Sequence, residues 1–220
     1  LVTLLIWLPN HRHNHYLEGQ KEKKSKENIL KSKDVWAIII FGGLQSLLFY
    51  TSMTWLPTMA VSAGISNSDA ALLASIFSLI SIPFSMTVPS LTTRLSDGHR
   101  RIMLAIISIA GMMGIAMLLY PANNFLYWLF VHLLIGTACS ALFPYLMVCF
   151  SLKTSSPEKT AQLSGLAQTG GYILAAFGPA LFGYSFELFQ SWIPAVLALL
   201  AVDIIMTVSL FMVDRADKIL

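Results

Sequence analysis

Residues 102–152 read IMLAIISIAGMMGIAMLLYPANNFLYWLFVHLLIGTACSALFPYLMVCFSL, 51 positions without one Asp, Glu, Lys or Arg. A helix that crosses a bilayer needs about 20 mostly apolar residues, so this run is long enough for two crossings and too long for one. It divides naturally at Tyr120-Pro121-Ala122-Asn123-Asn124, a turn composition. The stretch therefore predicts a pair of membrane helices over 102–120 and 125–150.

The same reading extends outward. Uncharged runs cover 35–68, 70–93 and 160–186, and 188–213 is interrupted only at Asp203 and otherwise apolar. Six spans follow, at about 36–61, 70–93, 102–120, 125–150, 160–186 and 192–213, so the fold class is an all-α membrane protein with a six-transmembrane-helix bundle over 35–213. The opening residues 1–8 read as the tail of a further, truncated membrane helix. No basic segment precedes them, as a signal peptide would require, and the chain reads as a fragment that lacks an upstream part. Residues 9–34 form a charged linker and 214–220 a short tail. Composition agrees: 56% of the 220 residues are hydrophobic and 11% charged, under half of the roughly 25% usual in soluble domains, with mean hydropathy +0.70. This excludes an ordinary soluble enzyme, a disordered tail and a nucleic-acid-binding domain. The first partner is the lipid bilayer.

Charge placement orients the spans, because cytoplasmic loops carry the excess of Lys and Arg. Segment 9–34 carries Arg12, Lys21, Lys23, Lys24, Lys26, Lys31 and Lys33; 94–101 carries Arg94, Arg100 and Arg101; 151–159 carries Lys153 and Lys159; the tail carries Arg215 and Lys218. These are all 14 basic residues, and loops 62–69, 121–124 and 187–191 have none. Strict alternation supports six spans with both ends cytoplasmic. Helix-start signals match: Ser66-Asn67-Ser68-Asp69 has capping-box spacing before the second span, and Ser156-Pro157-Glu158 supplies a cap, a first-turn proline and an acid before the fifth.

Enzyme signatures are missing. The sequence has no H-E-x-x-H and no G-x-x-x-x-G-K-[ST], no serine in a nucleophile motif and no metal-ligand cluster in the spans. No cofactor is implied. His11, His13 and His15 alternate in the linker, a tract that suits a solvated surface better than a metal site. Cys139 and Cys149 fall about 15 Å apart on one helix, too far for a disulfide.

The spans are instead rich in helix-bending and small residues. Pro57, Pro83, Pro89, Pro144, Pro179 and Pro194 lie inside them, and Gly171, Ala175, Pro179 and Gly183 set a small-residue stripe along the fifth. Proline removes a backbone hydrogen bond, and small residues let membrane helices approach closely, features that suit helices rocking against one another. Polar residues gather on two spans: Gln45, Ser46, Tyr50, Thr51, Ser52, Thr54 and Trp55 on the first, and Gln162, Ser164, Gln168, Thr169 and Tyr172 on the fifth. Each serves either to bond neighbouring helices or to line a cavity. With no Lys or Arg in the membrane, they suit a small neutral or weakly charged organic solute. Asp203 is the one formal charge deep in a span, and buried ionisable residues in membranes by default mark function; a coupling proton there competes with a structural hydrogen bond. His132, early in the fourth span, carries the same two readings.

Several of these segments resemble a known family. Gly43-Leu44-Gln45-Ser46-Leu47-Leu48-Phe49-Tyr50, Trp55-Leu56-Pro57, Ser164-Gly165-Leu166-Ala167-Gln168-Thr169-Gly170-Gly171-Tyr172, Ala175-Ala176-Phe177-Gly178-Pro179 and Ser191-Trp192 look like the C-terminal half of a major facilitator superfamily transporter. In detail they resemble the cyanate permease family, which includes a nitroimidazole exporter. The resemblance covers about residues 35–213. It implies that the spans correspond to helices seven to twelve of a twelve-helix bacterial transporter, whose partner is a missing N-terminal six-helix half. The first, second, fourth and fifth spans would then line the pathway, with Gln45, Ser46, Tyr50, Trp55, Gln168 and Tyr172 as substrate-pathway residues and the sixth span peripheral. The loop 94–101 resembles the superfamily's basic cytoplasmic loop in degenerate form, which makes Asp97, Arg100 and Arg101 a conformational element. Asp97 is expected to latch onto the N-terminus of the fifth span near Ser156.

The expectation is thus a secondary transporter that moves a small solute across the bacterial cytoplasmic membrane by alternating access, with a cyanate-like anion or a small neutral organic compound as substrate; a proton is the candidate coupling ion, and direction and coupling stay open. Two other classes fit a bundle of this kind: a membrane receptor or sensor, and a six-span homodimeric carrier or channel.

Overall fold

The computed structural model describes residues 32–219. The truncated span over 1–8, the histidine tract and nearly all of the charged linker lie outside them. Seven helices appear in chain order: α1 (Lys33–Ser62), α2 (Asn67–Leu79), α3 (Ser81–Arg94), α4 (Asp97–Met117), α5 (Phe125–Leu152), α6 (Pro157–Phe189) and α7 (Ile193–Arg215). No strand occurs among the described residues. Helices α2 and α3 together make one crossing, so the bundle has six helical segments long and apolar enough to span a membrane.

The second span is two helices, for a reason written in the sequence. Pro83 has no N–H to bond the carbonyl of Leu79, and its ring crowds that carbonyl. Helix α2 stops at Leu79 and α3 restarts at Ser81. Helix starts are capped by local side chains: Ser66 Oγ accepts from the Asp69 N–H at 3.1 Å, Asn124 Oδ1 from the Tyr127 N–H at 3.2 Å and Ser156 Oγ from the Lys159 N–H at 3.3 Å. Gly64 takes φ +97°, and a Cβ there would sit 2.7 Å from Asn123 Nδ2. The loops after α1 and before α5 therefore touch.

Helices α1 and α5 are apolar around most of their circumference and form the centre, as a helix without a polar face must. The other helices surround them and turn large apolar side chains outward; Ile102, Ile106, Ile109 and Met113 make such a stripe on α4. In a soluble protein this much exposed apolar surface would drive aggregation; here it matches a hydrocarbon solvent. The most extensive helix pair is α1 with α6. It is close because glycine permits it: a Cβ at Gly171 would lie 3.1 Å from Gly43 Cα, one at Gly178 2.6 Å from Thr51 Oγ1, and one at Gly183 2.5 Å from Trp55 Cζ2.

At the basic end, one carboxylate ties three helices together. Asp214, fully buried, accepts from Arg100 Nε at 2.6 Å, Arg101 Nε at 3.1 Å and Tyr145 Oη at 3.0 Å. Lys153 Nζ adds bonds to the carbonyls of Asp214 and Ala216.

Candidate functional site

Helices α1, α3, α5 and α6 frame a cavity of about 230 Å³. Helix α1 contributes Gln45, Ser46, Phe49 and Tyr50; α3 contributes Ser81 and Ser85; α5 contributes Cys139, Ser140, Phe143 and Pro144; α6 contributes Tyr172. These helices form the first, second, fourth and fifth spans. The third and sixth spans contribute nothing to its wall.

The chemistry of the wall is neutral and polar–aromatic. Gln45 is 2% exposed, and its Nε2 donates to the Cys139 carbonyl at 3.0 Å. Its Oε1 has no hydrogen-bond partner. Ser81 and Ser85 donate back to the carbonyls of Ser78 and Ile82 at 2.7 and 2.8 Å, which leaves their oxygen lone pairs available as acceptors. Pro144 cannot bond the carbonyl of Ser140 one turn earlier, and Ser140 Oγ is itself buried and unpartnered. Tyr50 and Tyr172 are half-exposed, with ring centroids 6.5 Å apart. The wall has no charged side chain. Such a wall offers neutral hydrogen-bond donors and acceptors together with aromatic faces.

Four of the six expected pathway residues, Gln45, Ser46, Tyr50 and Tyr172, meet in this cavity. Gln168 is half-buried one turn before Tyr172 and is outside the cavity wall. Trp55 stands elsewhere. Its Nε1 donates to the Pro179 carbonyl at 2.8 Å, its ring fills the notch at Gly183, and Phe182 and Trp192 pack around it at centroid distances of 6.3 and 5.5 Å. It thus packs α1 against α6 and against Trp192, the residue before α7.

His132 is buried, and its Nδ1 donates to the Trp128 carbonyl at 2.7 Å. Its Nε2 has no partner and the ring borders a cavity of about 80 Å³ shared with Ser52 and Ser78. Asp203 is 1% exposed and turned inward, with Oδ2 unpartnered. Asp97 is largely exposed and pairs with Arg100 at 3.0 Å. Among the described residues no ion pair or hydrogen bond joins it to α6, whose first turn is capped by its own Ser156. Arg100 and Arg101 hold Asp214 instead. No group of His, Cys, Asp and Glu that could hold a metal occurs among the described residues.

The family model described as Major Facilitator Superfamily matches residues 1–179 and, in a second overlapping placement, 39–218. The chain belongs to the Major Facilitator Superfamily. Among curated relatives it is 33% identical over 206 residues to "Uncharacterized transporter YycB" of Bacillus subtilis (strain 168), covering 94% of this chain and 50% of that protein. It is 26% identical over 209 residues to "2-nitroimidazole transporter" of Escherichia coli (strain K12), covering 94% of this chain and 52% of that protein. The chain spans about half the length of these relatives. Six apolar helices and this membership make the chain part of a multi-pass membrane protein, and the relatives are named as transporters rather than enzymes.

In this superfamily chain the residues that sequence reasoning passed over are Phe49, Ser81, Ser85, Ser140 and Phe143. A serine in a membrane helix usually bonds its own preceding turn and signals nothing alone. The available signal was proximity to proline: Ser81 and Ser85 flank Pro83, and Ser140 is one turn before Pro144.

Proposed function

We propose that the chain forms one half of a solute pathway that works by alternating access, with the cavity of Gln45, Ser46, Tyr50, Ser140 and Tyr172 as the half-site for a small, planar, uncharged or weakly acidic organic solute. The observation that carries this reading is the wall itself, in which two tyrosines and a set of neutral donors and acceptors converge beside Pro144 and the break in the second span at Ile80. A full negative charge in a wall without cations would lack compensation, so a neutral nitrogen heterocycle fits better than a cyanate-like anion. The relative named for 2-nitroimidazole supports the same class. The basic end of the bundle faces the cytoplasm, on the distribution of Lys and Arg, and a second six-helix half completes the site, as is general for transporters built from paired repeats. Asp203 and His132 are the buried candidates for a coupling proton.

The test is binding and flux together. The intact protein, purified and reconstituted, is expected to be stabilised against heat by 2-nitroimidazole more than by cyanate and to carry the stabilising compound into liposomes. Gln45→Ala should weaken both effects, and Gln168→Ala should weaken them less. Binding without flux would favour a receptor. Unchanged behaviour in Gln45→Ala would remove this cavity from the pathway.

A further inference from the structure

Gln45 faces two spaces. On one side it lines the solute cavity. On the other it lines a void of about 10 Å³ together with Leu48, Gly111, Ile135, Cys139 and Asp203 among others. That volume is at the lower limit for a single water molecule. Two residues of its lining each carry a buried oxygen without a partner, Gln45 Oε1 and Asp203 Oδ2. An amide oxygen and a carboxylate are both acceptors, so they bond each other only through a donor: a proton on the acid, or the O–H groups of a water.

The surroundings of Asp203 supply no counter-charge. Helix α1 presents Gln45 and Leu48, α4 presents Gly111 and Ile115, and α5 presents Ile135, Ala138, Cys139 and Leu142. Of these only Cys139 titrates, and none is a cation. A lone carboxylate in such a place is costly, and taking up a proton removes the cost. Helix α4 comes close enough only because residue 111 is glycine; a Cβ there would lie 2.8 Å from Ala138 Cβ and 3.6 Å from Asp203 Oδ2.

We propose that Asp203 is a proton-binding site whose occupancy is read by the solute cavity through Gln45. Protonated, the acid donates its O–H to Gln45 Oε1, directly or through one water, and Gln45 Nε2 stays on the Cys139 carbonyl. When the proton leaves to water of the cavity, the carboxylate becomes an acceptor only. The Gln45 amide then turns its N–H groups toward Asp203, releases the Cys139 carbonyl and presents a different face to the solute. The sixth span, which lines no part of the solute cavity, thereby acts on it at one remove. The consequence for coupling rests on the transport reading above; the proton site and its link to Gln45 do not.

Infrared difference spectroscopy of the intact protein in lipid, titrated with acid and base without any solute, tests this directly. The expected spectrum has a protonated-carboxyl C=O band that disappears in Asp203→Asn. In Gln45→Leu the band should persist and move to higher wavenumber, because the acid loses its acceptor. Should Asp203→Asn fail to accumulate, Asp203→Glu, which keeps the acid and lengthens it, is expected to shift the same band. Absence of any carboxyl band assignable to Asp203 would overturn the proton site. A band that Gln45→Leu leaves in place would overturn the link. Since no solute is present, either failure is distinct from a failure of the proposed transport function.

Discussion

Replacing Asp214 with alanine should destabilise the bundle by about 3–5 kcal/mol, the cost of breaking a buried ion pair by removing one partner. The Asp214 side chain has no exposed surface, and that of Arg100 is 15% exposed, so this pair falls in the buried class. Arg101 is 42% exposed, and its share is at most about 1 kcal/mol. Tyr145 Oη would lose its bond at 3.0 Å, and a buried hydroxyl left without a partner costs about 1–3 kcal/mol. The three contributions do not add in full, because Arg100 already reaches Asp97 at 3.0 Å and keeps that partner. Asp214→Asn retains an acceptor for Tyr145 and should cost about half as much. The assay is the thermal unfolding midpoint of the intact purified protein in detergent, for Asp214→Ala, Asp214→Asn, Tyr145→Phe and Arg100→Ala. The expected order of loss is Asp214→Ala, then Arg100→Ala, then Asp214→Asn and Tyr145→Phe. An Asp214→Ala protein that melts with the parent would refute the view that this carboxylate holds α4, α5 and α7 together.

Three further outcomes are expected. Gly171→Ala should destabilise the bundle by about 1–3 kcal/mol, because the new methyl meets the Gly43 backbone at 3.1 Å and backbone cannot give way; Gly165→Ala, with open space around it, is the matched control, and equal melting of the two would refute the close-packing account. Trp55→Phe loses the bond to the Pro179 carbonyl at a cost of about 1 kcal/mol, so it should lower the melting midpoint while leaving solute affinity unchanged; a selective loss of affinity would return Trp55 to the pathway. Asp97→Asn removes a surface pair worth about 0–1 kcal/mol and should leave the melting midpoint unchanged, and a shift in the accessibility of a cysteine reporter between the two sides of the membrane would show that the residue acts in another conformation.

The crossings were readable because hydrocarbon imposes a length and forbids charge, and both constraints act on local sequence. The hairpin around Tyr120–Asn124 and the caps at Ser66 and Ser156 are of this kind. The break at Ile80 was also local, set by Pro83, although an uncharged run alone does not reveal it. For the site, Gln45 and Tyr172 stood out because polar side chains in an apolar run need a partner. Trp55 stood out equally but lies outside the cavity wall, and only the fold shows that Gly183 and the Pro179 carbonyl receive it. In the sequence Asp214 opens a short polar tail. Its partners come from segments more than 60 residues away along the chain, and nothing local marks that meeting.

The most direct test of the central claim is solute flux through the intact protein when the cavity is filled. Ser140 lines the cavity and is almost fully buried, so Ser140→Trp places a large ring in that space. Reconstituted unaltered protein is expected to take up the aromatic probe proposed above, and Ser140→Trp protein that reaches the membrane and melts cooperatively is expected to take up none. Uptake that persists in Ser140→Trp would contradict the assignment of this cavity as the solute pathway.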